Sequence, residues 1–437
     1  MKTRLLTLCV LAALSSPAFA TAPAKPPTLA ELAARIQALE TNATALRQQA
    51  ADALAAAQEA KAALDAMKVE QAVAAETAAE TPAPAVDAGG ANGNAFNPAI
   101  SIILNGSATQ HSLDPASYTR SGFPLIGEGR PSAQGISLGE SEISMTANID
   151  DKFYGQLTMS VNGENQLGIE EAFIDTTSLP NGLSLRAGRF LSNIGYLNSH
   201  HTHTDKFFDR PLAYQAFLGN GYGDDGVQVR WVAPTDLFLE VGGEVLRGSA
   251  HGGTGTRTLF AHAGGDIGDE SSWLAGVSIL NSNTVGGEDG FSGDNTLYVA
   301  DATWKWAPQG NFKDGGITLR GEYMDDHRRG QYIDANDASL NQAWIGTRHG
   351  GYLEAVYRIN RSWETGYRYD KLWADNTGPF ASNYDPSRNS LMITWLNSEF
   401  SLFRLQFSQD HPNANAIDNA LTLQYQVSLG AHGAHKF

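Results

Sequence analysis

The stretch ALTLQYQVSLG at 420–430 alternates without a break. Leu421, Leu423, Tyr425, Val427 and Leu429 fall on one side, and Thr422, Gln424, Gln426 and Ser428 on the other. A period of two belongs to a strand with one apolar and one polar face, not to a helix. The same dyad returns in SLFRLQFSQ, where Phe403, Leu405 and Phe407 oppose Arg404, Gln406 and Ser408, and again in SWETGYRYD and GVQVRWV. Sixteen such segments begin near Ala99, Ile136, Lys152, Gln166, Leu183, Asp225, Asp236, Arg257, Ser271, Asn295, Gly315, Arg348, Arg361, Ser387, Glu399 and Ala420. Their connections alternate in length. NIDDK, VAPTD, GDESS, INRS and LNSE are short, whereas 112–135, 191–224, 248–256, 282–294, 326–347, 373–386 and 410–419 are long. Tight turns on one side and long loops on the other are the rhythm of a membrane barrel.

A soluble sandwich also alternates. Here the aromatics (18 Phe, 14 Tyr and 8 Trp) gather at strand ends, the polar face carries both charge signs, and the last residue is the aromatic Phe437. These features predict an all-β transmembrane barrel of about 16 antiparallel strands over 98–437. A barrel of that size is expected to enclose an aqueous lumen. An even strand count puts both barrel ends on the periplasmic side.

Residues 1–20, MKTRLLTLCVLAALSSPAFA, read as a cleaved signal peptide: Lys2 and Arg4, an apolar run, then Ala18-Phe19-Ala20. Cys9, the one cysteine, falls inside it, so no disulfide framework or thiolate site is expected beyond it. Within 21–68 a seven-residue repeat runs through Leu29, Ile36, Ala43, Ala50, Ala57 and Leu64, with a second seam at Leu32, Leu39, Leu46, Ala53, Ala60 and Met67. That repeat predicts a periplasmic coiled-coil helix. Residues 69–97 are rich in Ala, Pro, Gly and Asn and read as a flexible linker. A net charge of −17 argues against nucleic acid as a partner.

On this plan the chain resembles the Gram-negative porins that carry a coiled coil before the barrel, the phosphate-selective and siderophore-porin types. FNPAISIILNG (96–106), LSLRAGRF (183–190) and SLGAHGAHKF (428–437) look more like a proteobacterial group often labelled zinc-regulated TonB-dependent outer-membrane receptors. The resemblance implies a cell outer-membrane location among outer-membrane lipids. It also implies a homotrimer, and Phe437 as an assembly signal read by the barrel-assembly machinery. It implies passive diffusion of small hydrophilic solutes, with divalent metal ions such as zinc or metal complexes among them. A TonB-dependent transporter needs a folded plug in a 22-stranded barrel. A heptad helix and a linker stand in the plug's place here. A TonB-linked or siderophore/metal receptor-like barrel and a plugged structural or adhesin barrel without conductance are the alternatives.

The residues expected to line the pore are Arg230, Glu240, Glu244, Arg320, Glu322, Glu354, Arg358, Glu364, Arg368 and Arg404, all on the polar face of their strands. The stretch NSHHTHTDKFFDRP (198–211) stands in the long connection after the fifth strand. Porins fold a long loop at that position into the lumen, so the resemblance places it in or above the pore mouth. His200, His201, His203, Asp205 and Asp209 offer nitrogen and oxygen donors suited to zinc or a similar divalent ion, held weakly enough to leave again. No resident cofactor is expected, only weakly bound zinc or another divalent cation. No HExxH or phosphate-loop motif stands in the chain, and Glu170-Glu171 and Asp325-Asp326 read as lumen or loop charges. The chain is therefore not read as an enzyme, and no residue as catalytic.

Overall fold

The computed structural model describes residues 98–161, 167–248, 255–375 and 378–430. The expected signal peptide, coiled coil, linker and assembly signal at Phe437 lie outside these residues. Seventeen strand segments form one sheet. They are β1 (Ala99–His111), β2 (Gly135–Leu138), β3 (Ser141–Asn148), β4 (Phe153–Val161), β5 (Leu167–Thr176), β6 (Leu183–Leu191), β7 (Gly223–Val232), β8 (Phe238–Leu246) and β9 (Thr256–Ile267), then β10 (Ser271–Thr284), β11 (Phe291–Trp306), β12 (Gly316–Tyr332), β13 (Gln342–Arg358), β14 (Trp363–Asp375), β15 (Ser387–Ser398), β16 (Ser401–Asn413) and β17 (Ala416–Gly430).

β2 and β3 both pair with β1 and occupy one position in the wall, offset at Gly139, whose amide donates to the Asn105 carbonyl. The result is a closed sixteen-strand antiparallel barrel, as the sixteen alternating segments predict. Closure is direct: β1 pairs antiparallel with β17 from Ser101 opposite Gly430 to His111 opposite Ala420. A closed sheet has no free edge strand. No helix among the described residues is long and apolar enough to cross a membrane.

The outer wall is apolar in a band. Leu319, Leu353, Leu391, Leu405 and Leu423 project from it and are exposed. Toward the short-turn end, neighbouring strands present Trp363, Trp395, Phe403 and Tyr425, stacked in sequence at centroid distances of 6.3, 5.7 and 4.3 Å. Toward the long-loop end, Tyr323, His349 and Trp373 form a second stacked group. An apolar belt between two aromatic rings is the surface that lipid selects.

The strands on one side outrun the expectation. β12 and β13 remain paired out to Tyr332 opposite Gln342, and β16 and β17 meet at a turn over 414–415, where a loop over 410–419 was expected. The polar composition that reads as loop is a ladder standing clear of the lipid band, where charged cross-strand neighbours such as Asp294 and Arg329 are tolerated.

The outer belt makes a depth-dependent prediction. Leu353 is 71 % exposed within the band, and Ile345 projects from the same strand nearer the long-loop end. Leu353→Arg is expected to destabilise the barrel by about 2–4 kcal/mol and Ile345→Arg by about 0–1 kcal/mol, read by denaturant unfolding in lipid vesicles. Equal costs would show that the band is misplaced.

Candidate functional site

The connection between β6 and β7, residues 192–222, turns inward and crosses the lumen. It holds two 3₁₀ turns (Leu197–Ser199 and Thr202–Thr204) and one short helix, α1 (Leu212–Phe217). Its apolar side chains form the main buried core. Ile194, Leu197, Leu212, Tyr214, Phe217 and Tyr222 pack against Leu280, Leu297, Met324, Tyr352 and Leu372, which point inward from the wall. The long connection after the fifth strand folds into the lumen as expected, and it fills the middle with packed side chains. The fit is close at two glycines. A Cβ at Gly350 would lie 2.9 Å from Phe217 and 3.0 Å from Ala213, so α1 rests on bare β13 backbone. Gly195 has φ +70°, and a Cβ there would fall 2.5 Å from a Glu322 carboxylate oxygen.

Wall side chains satisfy the backbone of the inserted segment. Glu322 accepts hydrogen bonds from the Tyr196 and Leu197 amides (2.9 and 3.1 Å) and from the Tyr214 and Tyr352 hydroxyls (2.8 and 2.7 Å). Glu244 accepts from the Asn193 amide and the Ser192 hydroxyl. Asp370 accepts from the Leu212 amide at the start of α1, and Gln406 from the Phe208 amide. Guanidinium groups lie over aromatic rings of the segment: Arg320 over Tyr196 (4.1 Å), Arg368 over Phe207 (4.8 Å) and Arg348 over Phe217 (5.2 Å).

All ten expected pore residues lie on the lumen side, in surroundings other than open water. Glu244, Arg320, Glu322, Glu354, Glu364, Arg368 and Arg404 are buried. Arg320 pairs with Glu354 at 2.9 Å, Arg358 with Glu364 at 3.6 Å, and Arg404 donates to the Asp205 carbonyl. Arg230, bridging Asp175 and Glu240 at 3.7 Å each, keeps partial exposure. Glu244, Glu322, Glu364, Arg368 and Arg404 bond directly to the inserted segment, whereas Arg230, Glu240 and Arg358 pair with other wall residues.

The five expected metal donors do not converge. His200 lies against Tyr196, with its ring stacked at 4.6 Å and Nδ1 at 2.8 Å from the Tyr196 carbonyl. Asp205 pairs with Arg210 at 3.0 Å. Asp209 pairs with Arg368 at 3.2 Å and Arg388 at 2.6 Å on the far wall. Each aspartate is thus claimed by a guanidinium, the stronger partner where no ion is present. His201 and His203 stay together, with ring centroids 5.7 Å apart, and turn to carboxylates on β3 and β5. His203 Nδ1 lies 2.8 Å from Glu142. His201 Nδ1 lies 3.2 Å from Glu170, and its Nε2 lies 2.9 Å from Glu171. Thr202 donates to Glu140. Burial alone would lower the His201 imidazole, but the hydrogen bonds to Glu170 and Glu171 and the Glu142 charge hold it well above the usual 6.5.

Glu140 and Glu142 were not singled out in the sequence. A signal existed: GESEIS sets two carboxylates two residues apart, on one face of a strand. Nothing in the chain's order linked that face to a histidine some 60 positions on.

Two cavities remain on either side of the segment. One of about 800 Å³ lies toward the short-turn end, bordered by Asp269, Glu270, Lys305, Glu364 and Glu399. The other, of about 380 Å³, lies toward the long-loop end, bordered by Glu128, Glu140, Glu170 and Arg189. His200 borders both and so marks their partition.

No family model matches the chain. An uncharacterized protein of Aquifex aeolicus is 28% identical over 394 residues, covering 78% of this chain and 80% of that protein. Among solved structures, similar folds include OmpT, an outer membrane protein of Vibrio cholerae, in its trimer form (TM-score 0.51, 10% identity, 76% of this chain and 99% of that chain). The outer membrane channel DcaP of Acinetobacter baumannii matches with a TM-score of 0.50 at 11% identity, over 76% of this chain and 97% of that one. Pseudomonas putida OprB matches with 0.50 at 9%, over 76% and 94%. At these identities the likeness is one of fold.

The Asp209 anchor is testable. Arg388 and Arg368 outweigh burial and hold its carboxyl below the usual 3.8. A depressed carboxyl contributes stability that is present above the unfolded value and is lost as pH falls through the folded one. Hydrogen exchange over 205–212 is therefore expected to stay slow down to pH 3.8 and to quicken below it. Asp209→Ala, which leaves the buried Arg368 and Arg388 to share Asp370, is expected to quicken the same amides at neutral pH. The anchoring lost is about 1–3 kcal/mol, with the strand amides unchanged. Unaltered exchange would show that the segment is held without Asp209.

Proposed function

We propose that the chain is an outer-membrane channel of porin type, passing small hydrophilic solutes by diffusion. The observation that carries the reading is the pair of cavities bracketing the inserted segment inside a closed barrel with a lipid-type outer wall. The fold likeness to a solved outer membrane channel supports it. Acidic side chains border both cavities and favour cations over anions. Divalent metal ions such as zinc, or metal complexes, are the solutes read as the finer preference. The barrel works among outer-membrane lipids as a homotrimer, in keeping with the trimer form of the similar OmpT. Phe437 is the end offered to the barrel-assembly machinery, and residues 21–68 supply a periplasmic coiled coil. The function is passage, not turnover.

A plugged structural barrel without conductance is the second reading, favoured by the packed apolar core across the lumen. Planar-bilayer recording separates the two. Small discrete steps with a cation-selective reversal potential are expected from the full chain. Removing the side of the segment that borders the cavities is expected to enlarge the steps. Silent membranes containing folded protein would favour the plugged barrel.

A further inference from the structure

Three donor atoms meet where the inserted segment touches β3 and β5. Glu142 Oε2, Glu170 Oε2 and His201 Nδ1 all lie within 4.8 Å of one another, with the imidazole 3.4 Å from the first and 3.2 Å from the second. Shifts of a few tenths of an ångström would set all three at about 2.0–2.2 Å from one central ion.

Two observations set this group apart from a chance cluster of charges. Glu142 is only 2 % exposed, and while its Oε1 is held by His203, its Oε2 has no hydrogen bond. A buried carboxylate oxygen without a donor is costly, and a cation between Glu142 and Glu170 removes that cost. The far nitrogen of His201 is bonded to Glu171, which in turn accepts from Gln156 and from the Leu191 amide. An imidazole with one nitrogen on a fixed carboxylate and the other facing donor oxygens has the orientation that metal-binding histidines adopt. Access is present as well, since Glu170 borders the smaller cavity and His203 the larger.

We propose that Glu142, Glu170 and His201 bind one divalent cation of the zinc class, with Glu171 and His203 as positioning residues. One imidazole with two carboxylates is a mixed nitrogen and oxygen set, which suits zinc, nickel or cobalt better than the all-oxygen shell that magnesium takes. The bound ion ties the inserted segment to β3 and β5 and stands between the two cavities. Binding is a property of these side chains; only its effect on ion flow rests on the reading of the barrel as a channel.

The test titrates zinc chloride, and magnesium chloride in parallel, into chelator-treated full-length protein in detergent, with calorimetry as the readout. One zinc per chain, bound more tightly than magnesium, is expected. Glu170→Gln and His201→Ala are each expected to weaken it by about tenfold or more. His349→Ala, which removes a histidine–carboxylate pair on the outer wall, is expected to leave it unchanged. X-ray absorption at the zinc edge of the unaltered protein needs no variant, and one imidazole with oxygen donors is expected. Isotherms of Glu170→Gln and His201→Ala that match the unaltered protein, or a zinc shell without imidazole, would overturn the site. Zinc binding without conductance would remove the channel reading and leave the site. Conductance without zinc binding would do the reverse.

Discussion

A charge on the inner wall of a wide barrel must be met by water or by something brought into the lumen. In this molecule it is met by the chain itself. Glu322 shows the principle: it sits in mid-strand and receives two amides and two hydroxyls, most of them from a segment more than a hundred residues away. Glu244, Asp370 and Gln406 do the same around the circumference. An amide withdrawn from such a carboxylate leaves two buried groups unsatisfied, so the segment has one well-defined seat. Apolar packing of Tyr214, Leu212 and Phe217 then fills what the polar contacts locate.

The wall was legible in the sequence and the inside of the lumen was not, for a physical reason. A strand writes its two faces into alternate residues, so ALTLQYQVSLG declares itself without its neighbours. Strand ends are less clear, because polar residues beyond the lipid band look like loop even when paired, as in β12 and β13. The histidine cluster misled in a more instructive way. His200, His201 and His203 are close in the chain, but 3₁₀ turns send His200 back onto Tyr196 and His201 and His203 toward β3 and β5. Donor type was readable from HHTH; donor partners were not, because Glu142 comes from β3 and Glu170 and Glu171 from β5, which only the barrel fold brings near. Asp205 and Asp209 read as oxygen donors for an ion, yet arginines on the segment and on the far wall take them.

The two sides of the inserted segment differ in chemistry. Toward β14, β15 and β16 it is held by guanidinium–carboxylate pairs, which keep their charges across the ordinary pH range. Toward β3 and β5 it is held by imidazole–carboxylate contacts, whose strength depends on a proton or on whatever replaces it. One side is a permanent fixing and the other an adjustable one. The smaller cavity lies against the adjustable side, with Glu140 and Glu170 at its border, whereas the larger is bordered by His203 of the segment and by Glu364 on β14 and Arg404 on β16.

The attachment of one segment to walls all around the barrel has a mechanical consequence. A hollow cylinder of strands yields to lateral pressure by becoming oval, since hydrogen-bonded neighbours hinge easily along their length. Here a cross-brace spans the bore, bonded to β8, β12, β14 and β16 and facing β3 and β5. Flattening the ring in any direction would compress close-packed side chains on one diameter or part charge pairs on the other. The bore of this barrel is therefore set from within, by the object that obstructs it.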